Sequence, residues 1–183
     1  QLTLKTLVHQ SPAWAVALGL GVGIPTADDI SVGDAAGVPL ALIENDAVHL
    51  TPFLAMLWTP NDCTFAHLFV QYDYELNSNP VFLNPDFLNA TNSLTHVGQL
   101  NDQVYQFIDF GFGRWLYRGH PCHDGVTGFA LTTEVHYAKS MTDADMVQAG
   151  PIMIGDATTD LDLLNVTFGG HLELTHRTSL SVG

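Results

Sequence analysis

The sequence predicts an all-β protein, an antiparallel up-and-down transmembrane β-barrel. About eight strands are visible, and we expect them to form part of a larger barrel. Three observations support this fold class. Large apolar residues recur at every second position in most segments of the chain. The predicted strands are long, at about 9–14 residues, whereas tilted membrane strands need about 9–11 and soluble strands average about 5–6. Finally, short and long connections alternate along the chain.

The first two strands are predicted over residues 2–9 and 13–24. In the first, Leu2 and Leu4 alternate with Thr3 and Lys5. The second lies in "AWAVALGLGVGIPT" (13–26), where large apolar residues alternate with Ala or Gly. Its regularly spaced glycines disfavour a helix, and its period of two is that of a strand.

The other strands show the same alternation, with polar or small residues between apolar ones. In chain order they are "VHLTPFLAMLWT" (48–59), "AHLFVQYDYEL" (66–76), "IDFGFGRWL" (108–116), "GFALTTEVHY" (128–137) and "LNVTFGGHLEL" (164–174), with an eighth beginning near Ser179. Short turns are predicted at 9–12, 59–62, 119–125 and 176–179. Long loops are predicted at 27–46, 77–102 and 140–160. Sorting connections by length between the two ends of a sheet is typical of outer-membrane barrels.

The alternation also predicts which face meets lipid. If the large apolar side chains pointed inward, the second strand would show only Ala and Gly to water, and nothing there would discourage edge pairing. We therefore expect the large side chains to face lipid and the small and polar ones to line a lumen. The predicted lipid-facing residues are Trp14, Val16, Leu18, Leu20, Val22, Leu54, Met56, Val70, Phe110, Phe112, Leu131 and Phe168.

The opposite face carries polar and ionisable side chains. The predicted lumen-lining residues are His49, His67, Gln71, Asp73, Glu75, Asp109, Glu134, His136, His171 and Glu173. Charges between low-dielectric walls would give a field that favours cations. The alternative is a packed barrel whose polar side chains bond only to one another.

The charge balance limits the partners. Five Lys and Arg stand against 19 Asp and Glu, a formal charge of −14, so the basic stripe that nucleic acid requires is missing. Cations suit this balance better. The long loops contain aspartates that resemble weak Ca²⁺ ligands without the complete calcium-loop spacing: Asp28, Asp29, Asp34, Asp143, Asp145, Asp156 and Asp160. Turn and cap formation is the competing interpretation of these aspartates. No other cofactor is predicted.

Two short strings place a histidine and a carboxylate two residues apart on one strand face: Glu134–His136 and His171–Glu173. Such pairs can bind a metal or act as acid and base. No nucleophile motif accompanies them, so the sequence predicts no catalytic residues and no enzyme. Cys63 and Cys122 lie in two short turns, at what would be the oxidising periplasmic end, and a disulfide and two free thiols remain alternatives.

Several strings together resemble uncharacterised outer-membrane β-barrel proteins of planctomycete-type bacteria. They are "LTLKTLV…ALGLGVGIPTADD", "HLTPFLAMLWTPND", "GQLNDQ", "FGFGRWLYRG", "GVTGFALTTEVHY" and "LNVTFGGHLEL…TSLSVG". The resemblance covers most of the chain, and its motifs are structural. It implies a barrel fold and a location in the bacterial outer membrane, but no substrate. It also implies that residues 1–183 are a single barrel domain, or a fragment of one truncated at both ends.

The leading functional prediction is a passive, porin-like conduit for small neutral or cationic solutes. The first alternative is a filled anchoring barrel whose acidic loops bind a partner or Ca²⁺. A soluble extracellular β-sandwich that binds a ligand is a further alternative, and an outer-membrane hydrolase using the two His–carboxylate pairs is another. The predicted partners are membrane lipid and small solutes, and homo-oligomerisation is left open.

Overall fold

A computed structural model describes residues 1–89, 93–119, 126–149, 152–155, 160–175 and 178–183. These residues form fourteen strands and one short 3₁₀-helix, Phe87–Asn89. The strands are β1 (Leu2–Gln10), β2 (Trp14–Gly23), β3 (Ile30–Gly33), β4 (Pro39–Ile43), β5 (His49–Asn61), β6 (Thr64–Glu75), β7 (Asn79–Leu83), β8 (Thr95–Leu100), β9 (Tyr105–Arg118), β10 (Gly128–Ser140), β11 (Met146–Ala149), β12 (Ile152–Gly155), β13 (Asp162–Thr175) and β14 (Thr178–Val182). None of the described residues belongs to a helix long and apolar enough to cross a membrane.

The strands form three antiparallel sheets. The large sheet has eight strands in the order β1-β2-β5-β6-β9-β10-β13-β14, the small sheet has the order β3-β4-β7-β8, and β11 pairs with β12. The predicted all-β antiparallel architecture is confirmed. Within the described residues, β1 and β14 are the edges of the large sheet and do not pair with each other. Closure into a barrel therefore stays a prediction.

The three segments predicted as long loops contain strands instead. Each is a hairpin that extends two neighbouring strands of the large sheet beyond its rim: β3 and β4 continue β2 and β5, β7 and β8 continue β6 and β9, and β11 and β12 continue β10 and β13. The small sheet consequently repeats the strand order of the sheet below it. The loop prediction failed because these strands have only four to six residues, too few for an alternating pattern to stand out.

Asparagine side chains join the large sheet to the small sheet where the strands bend. The Asn79 side-chain oxygen accepts hydrogen bonds from the backbone N–H groups of Asp46 and Ala47, at 3.0 and 3.1 Å. Asn77 accepts one from the Val48 N–H and donates one to the Asp46 carbonyl. These side-chain bonds satisfy backbone groups where the hydrogen-bond ladder between strands is interrupted. They connect the hairpins to the rim of the large sheet.

The best-buried aliphatic side chains lie in the hairpin extensions. Val81 and Leu83 of β7 are 0% and 1% exposed, and Val38 and Val147 are also buried. In the described part of the large sheet, by contrast, the buried apolar residues are Ala17, Ala66 and Ala130. The described residues of the large sheet therefore form no packed aliphatic core of the kind that holds a soluble sheet together.

Candidate functional site: the polar face of the large sheet

The strand register divides the large sheet into two faces. The apolar face carries all twelve residues predicted to meet lipid, as their cross-strand pairing shows. Seven of them are exposed: Trp14, Leu18, Leu20, Phe110, Phe112, Leu131 and Phe168. The other five are half-buried: Val16, Val22, Leu54, Met56 and Val70. Phe168 has 74% of its surface exposed, so the apolar face is uncovered by protein.

The opposite, polar face carries all ten residues predicted to line a lumen. Each of them is half-buried: His49, His67, Gln71, Asp73, Glu75, Asp109, Glu134, His136, His171 and Glu173. The register places Glu75 opposite His49 and His136 opposite Asp109. Residues from five neighbouring strands thus lie on one surface.

At the hairpin end of the polar face, His49 lies between two carboxylates. Its Nδ1 is hydrogen-bonded to Asp73 Oδ1 at 3.0 Å, and its Nε2 lies 3.7 Å from Asp102 Oδ2. Asp102 precedes β9, in a segment where the sequence indicates no strand. It was missed as a site residue because alternation assigns faces only within strands.

Glu75 stands beside this cluster, at the end of β6. One of its oxygens accepts a hydrogen bond from the Asp102 N–H, and the other accepts one from the Asn79 amide at 3.3 Å. Burial raises the pKa of Glu75, and the nearby charges of Asp102 and Asp145 raise it further. The Asp102 N–H bond and His49 oppose the shift without cancelling it.

A second histidine in the middle of the polar face has the same arrangement. His136 Nδ1 lies 2.8 Å from Asp109 Oδ1 on the neighbouring strand, and its Nε2 lies 3.5 Å from Glu134 Oε2. The predicted Glu134–His136 pair therefore exists as a triplet with Asp109. The His136 ring is therefore oriented by the Asp109 bond at Nδ1, with the Glu134 carboxylate beside Nε2.

In the other predicted pair, His171 and Glu173, the two side chains contact different residues. His171 Nδ1 is hydrogen-bonded to Ser181 on β14 at 2.8 Å, and the imidazole edge contacts the Trp115 ring at a centroid distance of 5.7 Å. The Glu173 carboxylate lies instead against Gly128 of the neighbouring strand. The structure thus gives these two residues different surroundings.

Aromatic rings form a further layer of the polar face that the site prediction omitted. The rings of Phe53 and Phe69 are 5.3 Å apart, and those of Phe65 and Trp115 are 6.1 Å apart. Their positions in the alternation place them on this face, so the signal was present in the sequence. They were overlooked because only polar residues were selected.

Three rings lie directly over a glycine on the neighbouring strand. Phe53 covers Gly19, His67 covers Gly111 and Phe65 covers Gly113, each ring occupying the space of the missing Cβ. These are registered cross-strand pairs. We call these positions glycine slots. They explain these three glycines: because the Cβ is absent, a ring from the neighbouring strand can lie flat against the sheet.

The polar face encloses a cavity of about 900 Å³ at the short-turn end of the sheet. Its lining runs from Pro12, in the β1–β2 turn, through Phe65 and Trp115 to Ser181 of β14. Strands near both edges of the sheet therefore contribute to one cavity, which means that the sheet curls towards its polar face.

Three of the seven aspartates predicted as weak Ca²⁺ ligands accept hydrogen bonds within the chain. Asp34 accepts hydrogen bonds from Ala36 and Val38 N–H in a turn, Asp29 accepts one from Asn45 N–H, and Asp145 binds Asn101. Asp28, Asp143 and Asp160 are exposed. Asp156 lies outside the described residues. No group of three or more His, Cys, Asp or Glu placed to hold a metal occurs among the residues that are described.

Of the two cysteines, Cys63 is an exposed free thiol in the β5–β6 turn. Cys122, the other residue of the predicted disulfide, lies outside the described residues.

Comparison with known proteins adds nothing to this geometry: no family model, curated protein or solved structure matches the chain.

Proposed function

We propose that the large sheet is part of the wall of a bacterial outer-membrane β-barrel that passively conducts small neutral or cationic solutes. The observation that carries this proposal is the opposition of the two faces. Large apolar side chains such as Leu18, Phe110 and Phe168 are exposed on one face, and titratable side chains share the other. Lipid is the environment in which such an exposed apolar face is stable.

The total surface area supports the proposal. The chain exposes 11844 Å², whereas a compact monomer of 19.9 kDa is expected to expose about 8,700 Å². A soluble β-sandwich would bury one face of each sheet against the other. The excess argues that an environment other than water covers the apolar face.

The positions of aromatic side chains fit a bilayer. On the apolar face, Trp14 and Trp58 are paired at 5.9 Å near the short turns, and Tyr72 and Tyr74 are stacked at 5.9 Å near the hairpins. From Ala66, the partner of Trp58, to Tyr74 the chain advances eight residues along β6, about 26 Å at ~3.3 Å per residue. At a tilt of about 40° this spans about 20 Å, close to the ~25 Å apolar band of such barrels.

The charge of the polar face favours neutral and cationic solutes. Its described residues include five carboxylates, Asp73, Glu75, Asp109, Glu134 and Glu173. The described cations on this face are Lys5 and Arg118, which the register places opposite Gly19 and Gly128. Because low-dielectric walls focus this negative field, anions would be repelled.

The edges of the large sheet support a barrel of more than eight strands. Within the described residues, β1 and β14 each pair on one side only, and not with each other. We therefore propose that further strands pair with these two edges, because a bilayer cannot satisfy their exposed N–H and C=O groups.

The test is reconstitution of the protein into liposomes. We expect the liposomes to leak small sugars and K⁺ faster than Cl⁻, and the folded protein to shift in a gel after heating. Heat-denatured protein carried through the same procedure is the control. Liposomes that stay tight around protein shown to be inserted and protease-resistant would contradict the conduit.

A second candidate function is an anchoring barrel whose hairpins bind a partner. The small sheet favours it, because fully buried Val81 and Leu83 make that sheet a rigid platform beyond the rim. It shares the membrane location with the first proposal and predicts inserted protein in tight liposomes.

A further inference from the structure

The cavity at the short-turn end contains two aromatic rings held flat against the sheet. Phe65 lies in the Gly113 slot, and the Trp115 ring lies against Gly128, where an added Cβ would be 2.8 Å from its Cζ3 atom. The two ring centroids are 6.1 Å apart. Both rings line the cavity.

Neighbouring side chains fix Trp115 in place. The Arg118 guanidinium stacks over its ring at 4.9 Å, and the His171 edge contacts it at 5.7 Å. Arg118 is itself bonded to the Asp62 carbonyl at 2.8 Å, and His171 to Ser181. Because Arg118 covers Trp115, the ring of Phe65 is the one left for a ligand to stack on.

Three threonines share the cavity with the two rings. Thr59, Thr132 and Thr167 line the cavity. Within the part of the chain that the structure describes, none of their hydroxyls takes part in a hydrogen bond. Each can therefore donate and accept a bond to a ligand.

Of the charged groups that line the cavity, Glu134 and Arg118 have neighbours that hold them, and Asp62 is exposed. Glu134 lies 3.5 Å from His136, and Arg118 is bonded and stacked as described. Besides these charged groups, the lining offers a ligand a flat apolar ring and hydroxyls. A small number of placed polar groups on an apolar lining is typical of sites for neutral ligands.

We propose that this cavity binds a neutral saccharide, one sugar ring lying on Phe65 and its hydroxyls bonded to Thr132, Thr167 and Thr59. The inference rests on the proposed function, since it names the class of solute that the polar face receives. A sugar ring suits the site because it has an apolar C–H face and a hydroxylated rim. A cation could also stack on Phe65 or approach Asp62, so a cationic probe is the competing ligand in the test.

The experiment measures binding in detergent, apart from conduction. A chain with Trp14→Phe and Trp58→Phe leaves Trp115 as its single tryptophan, next to the site. We expect maltotriose to change its fluorescence saturably and choline chloride at the same concentration to leave it unchanged. In this background, Gly113→Ala displaces the Phe65 ring and should weaken binding about tenfold, a loss of ~1.4 kcal/mol.

The matched control is Gly23→Ala, where the new Cβ makes an ordinary 3.5 Å contact with His49 and lies outside the cavity. Phe65→Leu and Thr132→Val test the site with smaller structural change and should also weaken maltotriose binding. The proposal is overturned if maltotriose gives no saturable response, if choline binds in its place, or if Phe65→Leu and Thr132→Val bind like the Gly23→Ala control. Since binding needs no bilayer, loss of conduction and loss of binding are separate results.

Discussion

The ring of Phe53 on β5 lies over Gly19 on β2 and fills the space that a Cβ of residue 19 would occupy. This pair shows how a large ring is accommodated on the polar face. A large ring is attached to the polar face, and the glycine opposite lets the ring lie flat. The same solution recurs at Gly111 with His67 and at Gly113 with Phe65.

The first prediction concerns this slot. Gly19→Ala should destabilise the protein by about 1–3 kcal/mol, because the methyl group forces the Phe53 ring away from the sheet. Urea unfolding in detergent or vesicles measures the change. Gly23→Ala, on the same strand and the same face, has room for its Cβ and should change stability much less. Adding Phe53→Leu to Gly19→Ala should recover part of the loss, and equal effects of the two single alanine variants would show that the slot has no energetic role.

The second prediction concerns the small sheet. Leu83 is 1% exposed, and Leu83→Ala should cost about 2–5 kcal/mol through lost burial and a cavity. Leu88, in the neighbouring 3₁₀-helix, is 95% exposed, so Leu88→Ala should change stability by less than about 0.5 kcal/mol. Hydrogen exchange of the β4 and β7 amides would detect the local loss. Unchanged protection in Leu83→Ala would mean that the hairpins do not depend on this core.

The third prediction follows from Glu75, beyond the Tyr72–Tyr74 pair. Its pKa is raised in the folded protein, so its contribution to stability is fully present below the pKa of the unfolded chain and is lost as pH rises through the folded pKa. Asp145→Asn removes one like charge and should lower the pKa of Glu75, as seen by NMR titration of the side-chain carboxyl carbon. The control is Asp62→Asn, in the β5–β6 turn at the other end of the sheet, which should leave the pKa of Glu75 unchanged. If Asp145→Asn leaves the pKa of Glu75 unchanged, this electrostatic coupling is contradicted.

The fourth prediction tests the polar face as a cation-favouring surface. The double variant Asp109→Asn and Glu134→Gln removes two of its charges, and it should lower the K⁺/Cl⁻ permeability ratio measured in planar bilayers. Asp34→Asn is the matched control, since Asp34 lies in the β3–β4 turn of the small sheet and an asparagine there can still accept the turn hydrogen bonds. If the control lowers the ratio as much as the double variant does, selectivity arises from overall charge and not from this face.

The arrangement of His136 shows how far sequence reasoning extends into the site. Alternation placed Glu134 and His136 on one face, and the structure has them there at 3.5 Å. The closer partner, Asp109 at 2.8 Å, is 27 residues away on another strand. Strand register decides that contact, and a period of two within one strand carries no information about register with the next.

The sequence by itself determined the strand segments of the large sheet and the face on which each of their residues lies, because side chains on a strand alternate and large apolar residues repeat at every second position. Tertiary structure decided the features that depend on contacts between distant segments of the chain. It extended the predicted loops into paired hairpins, since strands as short as Ile30–Gly33 and Pro39–Ile43 form only when the neighbouring ribbon supplies hydrogen bonds. It also placed Phe65 over Gly113 and Asp102 beside His49, because contacts between distant strands depend on register and curvature.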